Sequence, residues 1–264
     1  MRDQSRLSNF ISATAYTDPV DIKKLRFIYS AIERYAGSKG KEFEKLHVLE
    51  VACGKGGITF PLASLGCDVT AFDIDENAVE FLQAQVKNRR VGNVTVTVDN
   101  GYTFDDGKDY DIVVASEVFE HVLEPSRFAG NITRRMMEGS YLIVTTPNGY
   151  GPWEMKNRMD IRTRLRNWNA LRHLLGKTPY IKGSGDGHCQ VYTKRRLLNL
   201  FSTFSLGLIG SAKSDSLLTI FSQLRRSTLV GNLDIKLADI LPYWLASGWY
   251  FIFELRGSNK FTAG

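Results

Sequence analysis

Short apolar segments alternate with amphipathic ones through the first 150 residues, and this alternation constrains the fold more than any other feature of the sequence. The apolar segments are residues 47–52, 68–73, 93–98, 110–115 and 141–146. Each is short enough to be a buried strand, and most are followed by a turn and then by apolar residues at helical spacing. Strands that alternate with helices form parallel sheets with helices on both faces, so the sequence predicts an α/β protein.

Helices are predicted before and between these strands. Residues 19–36 carry apolar side chains at near-helical spacing, and Asp18 followed by Pro19 is a typical helix start. The remaining predicted elements are helices over 76–89, 125–137 and 194–204 and strands over 206–210 and 249–255. The pattern over 214–240 favours no single element. A chain of 264 residues with this alternation is predicted to be one large α/β domain.

The composition favours a protein of a reducing compartment. The three cysteines, Cys53, Cys67 and Cys189, form no CxxC pair and no disulfide framework. The first ten residues lack the apolar run of a signal peptide. The longest apolar-rich stretch, residues 237–255, is interrupted by charged residues and a proline, which makes it a poor membrane-spanning helix. We therefore expect a cytoplasmic protein.

Positive charge is concentrated in residues 150–187. This segment holds eight lysines and arginines against three acidic residues, which accounts for most of the net charge of +6. Such a field predicts an anionic partner, for example a phosphate, a carboxylate, a nucleic acid or a membrane surface. A solvated helix face would have the same composition, and both interpretations stay open.

A glycine-rich turn follows the first predicted strand. The sequence there runs Glu50, Val51, Ala52, Cys53, Gly54, Lys55, Gly56 and Gly57. Small residues let the backbone turn sharply and approach a ligand closely. Asp73 ends the second strand nineteen residues after Gly54, where a carboxylate accepts hydrogen bonds from a ribose diol.

Three features of this region argue against a dinucleotide site. Glu50 lies within the first strand and would repel a pyrophosphate, whereas it would attract the ammonium group of a methionine moiety. The turn lacks the last glycine of GxGxxG, because position 59 is Thr59. The third strand ends in Asp99 and Asn100, a polar pair that can reach an adenine amino group.

The motifs LEVACGKGG, FDID, VDNG and DIVVASEVFEHV, in this order and spacing, resemble those of class I S-adenosylmethionine (SAM)-dependent methyltransferases. The stretch EVFEHV with a following proline is similar to the O-methyltransferases of ubiquinone biosynthesis. The resemblance implies a Rossmann-like methyltransferase fold: a mostly parallel seven-stranded sheet with helices on both faces and an antiparallel last strand. It also implies SAM as the cofactor.

The resemblance assigns roles residue by residue. It places Asp73 at the ribose, Ile74 beside the adenine, and Asp99 and Asn100 at the adenine edge. Ser116 or Glu117 approaches the methionine end through the backbone. The implied cofactor-binding set is Glu50, Ala52, Gly54, Gly56, Asp73, Ile74, Asp99, Asn100 and Ser116. The sequence departs from many relatives at Ala52, where they have glycine.

Four regions follow from the motifs. Residues 1–44 are predicted to form an N-terminal helical lid, and residues 45–149 form the SAM-binding core. Residues 150–187 are the basic insertion that covers the substrate, and residues 188–264 complete the sheet.

Candidate catalytic side chains cluster after the fourth strand. If a helix begins there, Glu117, Glu120 and His121 share one face, and His188 is the best distant partner. Two carboxylates with imidazoles can bind Mg²⁺ or Zn²⁺, which makes Glu117, Glu120, His121 and His188 candidate metal ligands. Alternatively, His121 or His188 acts as a general base without metal, with Glu117 beside it. Both hypotheses stay open, as do purely structural roles.

The leading functional hypothesis is O-methylation of a small or lipid-linked acceptor that is anionic or of glycan or quinone type. Aromatic residues near the C-terminus and an apolar stripe in the basic insertion suggest peripheral contact with a membrane. One alternative is an RNA methyltransferase of the 2′-O type that uses the basic insertion, although no separate RNA-binding module is visible. A second alternative is a non-catalytic SAM-binding protein.

Overall fold

The computed structural model of the protein describes residues 2–151, 189–216 and 228–257. In these ranges seven strands form one sheet in the order β3-β2-β1-β4-β5-β7-β6. The strands are β1 (His47–Val51), β2 (Asp68–Asp73), β3 (Val94–Val98), β4 (Tyr110–Ser116), β5 (Met136–Pro147), β6 (Leu206–Lys213) and β7 (Gly248–Leu255). The first five are parallel, and β7 is antiparallel to both β5 and β6. The predicted mostly parallel sheet with an antiparallel last strand is confirmed.

Helices cover both faces of this sheet. The described helices are α1 (Arg2–Ser12), α2 (Pro19–Lys39), α3 (Thr59–Ser64), α4 (Glu76–Asn88), α5 (Pro125–Thr133), α6 (Lys194–Ser202) and α7 (Thr228–Ile240). Along β1, Val48 belongs to the core beneath α2, whereas Leu49 belongs to the core beneath α5 and α6. Neighbouring residues therefore enter opposite cores, and Val48, Leu49 and Val51 are all apolar because both faces of the strand are buried.

Helix α2 begins as the sequence predicts. The side chain of Asp18 accepts a hydrogen bond from the Val20 N–H at 2.9 Å, and Pro19 occupies the first helical turn. The helix continues past the predicted end at residue 36 to Lys39, and Gly40 closes it with a left-handed φ of 59°. Its apolar residues pack on the sheet, so this part of the predicted lid is also a layer of the core.

The predicted helix over 125–137 is wrong at its C-terminal end. Helix α5 stops at Thr133, and β5 begins at Met136, which pairs with Tyr110 of β4. The Thr133 hydroxyl donates to the carbonyl of Ala129 at 2.9 Å, a contact that competes with continued helix. Pairing with β4 thus overrides the helical pattern of the sequence.

A buried carboxylate joins α2 to the centre of the sheet. Asp111 of β4 is fully buried and accepts hydrogen bonds from Lys41 at 2.6 Å, from the Tyr35 hydroxyl at 2.8 Å and from the His47 N–H at 3.1 Å. Burial raises the pKa of Asp111, but these donors outweigh burial and hold it below its ordinary value. The carboxylate therefore stays ionised and fixes the helix to the sheet.

Replacing Asp111 by Asn tests this connection. We expect Asp111→Asn to lower the free energy of unfolding by about 1–3 kcal/mol at neutral pH, because a buried amide cannot accept all three hydrogen bonds that the carboxylate accepts. Because folding lowers the pKa of Asp111, the extra stability of the wild-type protein is fully present above the ordinary pKa of 3.8. It disappears as the pH falls through the pKa of the folded state. Denaturant unfolding at several pH values measures both effects. The exposed Asp109→Asn is the control, and an equal loss in both variants would contradict the assignment.

Candidate functional site

The turn after β1 is held in an unusual backbone conformation. Ala52, Gly54 and Gly56 have φ values of 56°, 51° and 85°. The left-handed region is costly for a residue with a side chain, so the alanine indicates a turn fixed by its surroundings. A side chain at Gly56 would collide with Leu82 of α4, whereas the space beside Gly54 is open. The backbone at Gly54 is therefore accessible to a ligand.

Asp73, the predicted ribose acid at the end of β2, fixes this turn. One carboxylate oxygen accepts a hydrogen bond from the Gly54 N–H at 2.7 Å, and the other accepts from the Asp75 N–H at 3.0 Å. Each oxygen keeps a second lone pair for a ribose hydroxyl. Ile74, which follows, is 70% exposed and forms an open apolar surface suited to an adenine face.

The end of β3 lies beside Asp73. The N–H of Asp99 donates to the Asp73 carbonyl at 3.0 Å. The Asp99 carboxylate accepts from the Asn100 N–H at 2.6 Å, and the Asn100 side-chain oxygen accepts from the Tyr102 N–H at 3.0 Å. The structure thus brings the predicted ribose and adenine residues together at neighbouring strand ends.

A cavity of about 500 Å³ opens above the turn. Its lining includes the predicted residues Glu50, Ala52, Gly54, Gly56 and Ser116, together with Glu117. The residues at the ends of β2 and β3 lie outside this lining. We call this space the cofactor cavity. Its size and its open glycine backbone fit a nucleoside-containing ligand such as SAM.

Glu50 is buried at the base of the cofactor cavity. Its side chain is 4% exposed, and its carboxyl accepts a hydrogen bond from the Thr59 hydroxyl at 2.5 Å. Burial raises the pKa of Glu50 to about 8; the Thr59 hydrogen bond opposes the rise, and the charge of Asp73 adds to it. The carboxyl is thus mostly protonated at neutral pH, and a nearby cation would favour its ionised form.

Two residues line the cavity from the N-terminal side: Tyr16, which belongs to the predicted lid, and Lys24, which the sequence did not identify. The Tyr16 hydroxyl occupies the place where a side chain at Gly57 would stand, so only glycine fits there. Lys24 of α2 lies over the Tyr16 ring, with its ammonium nitrogen 5.7 Å from the ring centre. Lys24 shares a helical stripe with the buried Ile28 and Ala31, and this placement is the signal that could have revealed it.

Glu117 lies directly after β4 and is fixed by β5. Its φ is 56°, its N–H donates to the Thr145 carbonyl at 2.9 Å, and its carboxylate accepts from the Thr145 hydroxyl at 2.8 Å. Ser116 contacts the same hydroxyl at 2.8 Å. The carboxylate is exposed to the cavity, and its backbone strain is typical of functional positions.

The expected helix over 117–121 is wrong. The left-handed Glu117 ends the strand, and only Phe119–His121 form a short 3₁₀ turn. Glu120 is buried and accepts from the Thr146 hydroxyl at 3.2 Å, whereas His121 is exposed. The premise that placed Glu117, Glu120 and His121 on one helical face therefore fails.

The described residues do not assemble the predicted metal site. In residues 2–151, 189–216 and 228–257, no group of three or more His, Cys, Asp or Glu side chains is placed to hold a metal ion. Burial raises the pKa of Glu120, and the charge of Glu117 raises it further, which favours its protonated form. His188 and the eight lysines and arginines of the basic insertion lie outside the described residues. The four candidate metal ligands, and the role of the basic insertion in covering the substrate, stay predictions.

A second cavity, of about 300 Å³, adjoins the first. Both cavities are lined by Lys24 and Glu117, which form their common wall. The other residues of the second cavity are Val20, Asp21, Pro147, Ser214, Asp215, Ser247, Gly248 and Tyr250. They come from α2 and from the ends of β5, β6 and β7. We call this space the acceptor cavity.

Replacing Glu50 by Gln tests whether burial keeps the Glu50 carboxyl protonated at neutral pH. The folded chain keeps the Glu50 proton up to about pH 8, whereas the ordinary value is 4.5, so stability falls between these two pH values. Glu50→Gln should flatten this fall and raise the melting temperature at pH 8 but not at pH 5. Thermal unfolding at both pH values measures the difference.

The exposed Glu80→Gln on α4 is the control and should show no such gain. The Glu50→Gln variant should also bind SAM about tenfold more weakly, since a charge interaction of this kind is worth about 1.4 kcal/mol. A stability profile that keeps the wild-type dependence on pH would contradict the assignment.

Comparisons with known proteins agree with this geometry. A family profile described as a methyltransferase domain matches residues 22–208, more than half of the chain. The ubiquinone biosynthesis O-methyltransferase of Rickettsia akari is 30% identical over 129 residues, which are 48% of this chain and 50% of that protein. The mitochondrial enzyme of the same name from Arabidopsis thaliana is 29% identical over 133 residues, or 47% of this chain and 40% of that protein. The chain thus spans about half the length of the curated relatives it matches, or less.

Solved structures share the fold at low identity. A SAM-dependent methyltransferase from Methanosarcina mazei aligns with a TM-score of 0.54 and 17% identity, covering 81% of this chain and 94% of that one. The magnesium protoporphyrin IX methyltransferase of Synechocystis, solved with bound SAH, aligns with a TM-score of 0.54 and 14% identity, covering 88% and 82%. These likenesses confirm the predicted Rossmann-like methyltransferase fold.

Proposed function

Because the chain belongs to the methyltransferase domain family, we propose that it is a SAM-dependent methyltransferase that acts on a hydroxyl group of a small or lipid-linked acceptor. The observation that carries this proposal is the position of Glu117, a fixed carboxylate in the common wall of two adjoining cavities. The O-methyltransferase names of the relatives support oxygen as the target.

The cofactor cavity and the neighbouring end of β2 together fit SAM. The turn at Ala52 and Gly54 offers accessible backbone, Asp73 offers carboxylate lone pairs to a ribose, and Glu50 offers a carboxyl that a cation would ionise. When bound, SAM supplies an electrophilic methyl group. Tyr16 and Lys24 close the cavity on its N-terminal side and limit the access of water.

Glu117 is the proposed general base. Methyl transfer to a hydroxyl would form a carbon–oxygen bond while the carbon–sulfur bond of SAM breaks and leaves SAH, and the released hydroxyl proton needs an acceptor. The Glu117 carboxylate borders the acceptor cavity, and its hydrogen bond from Thr145 fixes its orientation. Holding the acceptor oxygen in line with the methyl group supplies the remaining acceleration.

An exposed apolar face on helix α7 supports the predicted contact with a membrane. Leu229 and Ile240 are each 83% exposed, and the exposed Leu233 and Lys236 fall at helical spacing between them. Trp244, just after the helix, is also exposed. Apolar residues with a flanking lysine suit the interface of an anionic bilayer, and a net charge of +6 favours such a surface. Among the described residues, no helix is long and apolar enough to cross a membrane. This face would bring the protein to a lipid-linked acceptor.

Replacing Glu117 by Gln tests the proposed base. We expect Glu117→Gln to lower the rate of methyl transfer to catechol by about 100-fold or more, with SAM affinity changed less than about threefold. Transfer of the labelled methyl group and calorimetric titration of SAM measure the two quantities. Glu124→Gln, which alters an exposed carboxylate in the following loop, is the control.

Treatment with EDTA separates the base from the metal hypothesis. If Glu117 acts as the base without a metal ion, activity survives the removal of metal ions by EDTA. The metal hypothesis retains one supporting contact, because the Gln190 N–H, close after His188, donates to the Glu120 carbonyl at 2.9 Å. Activity that is lost with EDTA and restored by Mg²⁺ or Zn²⁺ would contradict a metal-free base.

Sedimentation with lipid vesicles tests the face of α7. We expect binding to vesicles that contain phosphatidylglycerol and weaker binding to phosphatidylcholine alone, because the attraction is partly electrostatic. Leu233→Ser combined with Ile240→Ser should weaken binding to the vesicles. The control is Met137→Ser, which replaces an exposed apolar residue near the N-terminal end of β5 and should leave binding unchanged. Equal binding by all three proteins would rule out this face.

A further inference from the structure

The walls of the acceptor cavity are rich in carboxylates. Asp21 comes from the first turn of α2, Glu117 follows β4, and Asp215 follows β6, so three separate elements bring negative charge to one space. Asp215 is 7% exposed, and its carboxylate accepts a hydrogen bond from the Ser214 hydroxyl at 2.7 Å. Its backbone carbonyl also accepts from the Ser247 N–H at 2.9 Å, so its position is fixed.

Lys24 is the cationic residue of this lining. Its ammonium nitrogen lies 3.2 Å from the Asp21 carboxylate, and its side chain is 13% exposed. Its positive charge is therefore balanced within the wall. Carboxylates outnumber ammonium groups by three to one among the described lining residues.

The buried hydroxyl of Tyr250 reports the electrostatic potential of this space. Burial raises its pKa well above the ordinary value, and Glu117, Asp215 and Asp21 raise it further. Each of these charges opposes the formation of a phenolate. The same potential disfavours an anionic ligand and favours a cationic one.

The hydroxyl groups of the wall also act as hydrogen-bond acceptors towards a ligand. The Ser214 hydroxyl donates to Asp215, and the Ser247 hydroxyl donates to the Ser216 carbonyl at 2.9 Å. The Tyr250 hydroxyl points to the Val20 carbonyl at 3.4 Å. Since their hydrogens are used inside the protein, these hydroxyls offer a ligand mainly their oxygen lone pairs.

We propose that the acceptor cavity selects a hydroxylated acceptor that also carries a protonated amine. Such a molecule supplies hydrogen-bond donors to a wall in which acceptors predominate, and its charge matches the carboxylates. This inference rests on the proposed function, because it concerns the acceptor of the same reaction. The basic segment 150–187 predicts the opposite preference, so one experiment decides between them.

Three catechols that differ in charge provide the test. Dopamine is cationic, catechol is neutral and 3,4-dihydroxybenzoate is anionic, while all carry the same pair of hydroxyls. We expect dopamine to bind the protein saturated with SAH about tenfold or more tightly than catechol, and 3,4-dihydroxybenzoate to bind weakest. Calorimetric titration measures binding, and mass spectrometry of products made with SAM identifies the methylated atom.

Two variants make the test specific. Asp215→Asn should bring dopamine close to the affinity of catechol, while catechol itself changes little. Asp21→Asn removes one negative charge from the wall and the salt bridge to Lys24, so it should weaken the binding of dopamine and strengthen the binding of 3,4-dihydroxybenzoate. This variant keeps the test valid if the buried Asp215 variant fails to fold. Asp109→Asn, which lies away from both cavities, is the control.

The outcomes separate this inference from the proposed function. Selective dopamine binding without methylation of any catechol would support the inference and count against O-methylation of this class. Methylation with the tightest binding by 3,4-dihydroxybenzoate would overturn the inference and leave the proposed function intact. Equal affinities, or no binding by any of the three, would also overturn the inference.

Discussion

Two residues with side chains in the left-handed backbone conformation organise the site. Ala52 follows β1 and Glu117 follows β4, and these strands are hydrogen-bonded neighbours in which Val51 pairs with Ala115. The sheet order reverses its direction between these strands, which is where α/β proteins bind ligands. Each such conformation costs about 1–3 kcal/mol, so the contacts around the turns must fix them. Hydrogen bonds from Gly54 to Asp73 and from Glu117 to Thr145 do so.

The same arrangement gives two carboxyls different properties. Glu50 lies beneath the cofactor cavity, buried and bonded to Thr59, and burial raises its pKa to about 8. Glu117 lies in the common wall of the two cavities and is exposed. One carboxyl can therefore respond to a cation bound at the base, while the other can accept a proton from an acceptor. Lys24, which also contacts both cavities, connects their common wall to α2.

The sequence predicted the central strands well because they are buried on both faces and read as continuous apolar runs. It failed where a tertiary contact decides the local structure. Strand β5 begins early because Met136 pairs with β4, and the segment after Glu117 is not helical because Thr145 fixes that residue. The sharp turn after β1 was predictable from its small residues, since they act through local chain geometry. Lys24 was missed: its helical stripe indicates that it faces inward with Ile28 and Ala31, but which cavity it reaches depends on where α2 packs.

Parallel titrations of the folded protein with SAM and with NAD test the central claim most directly. The buried Glu50 carboxyl, which a bound cation would ionise, and the open turn at Gly54 suit a sulfonium amino acid attached to a nucleoside, whereas a pyrophosphate brings no cation to Glu50. We predict binding of one SAM per chain and no binding of NAD. Binding of NAD without SAM, or no binding of SAM by a folded sample, would contradict the account.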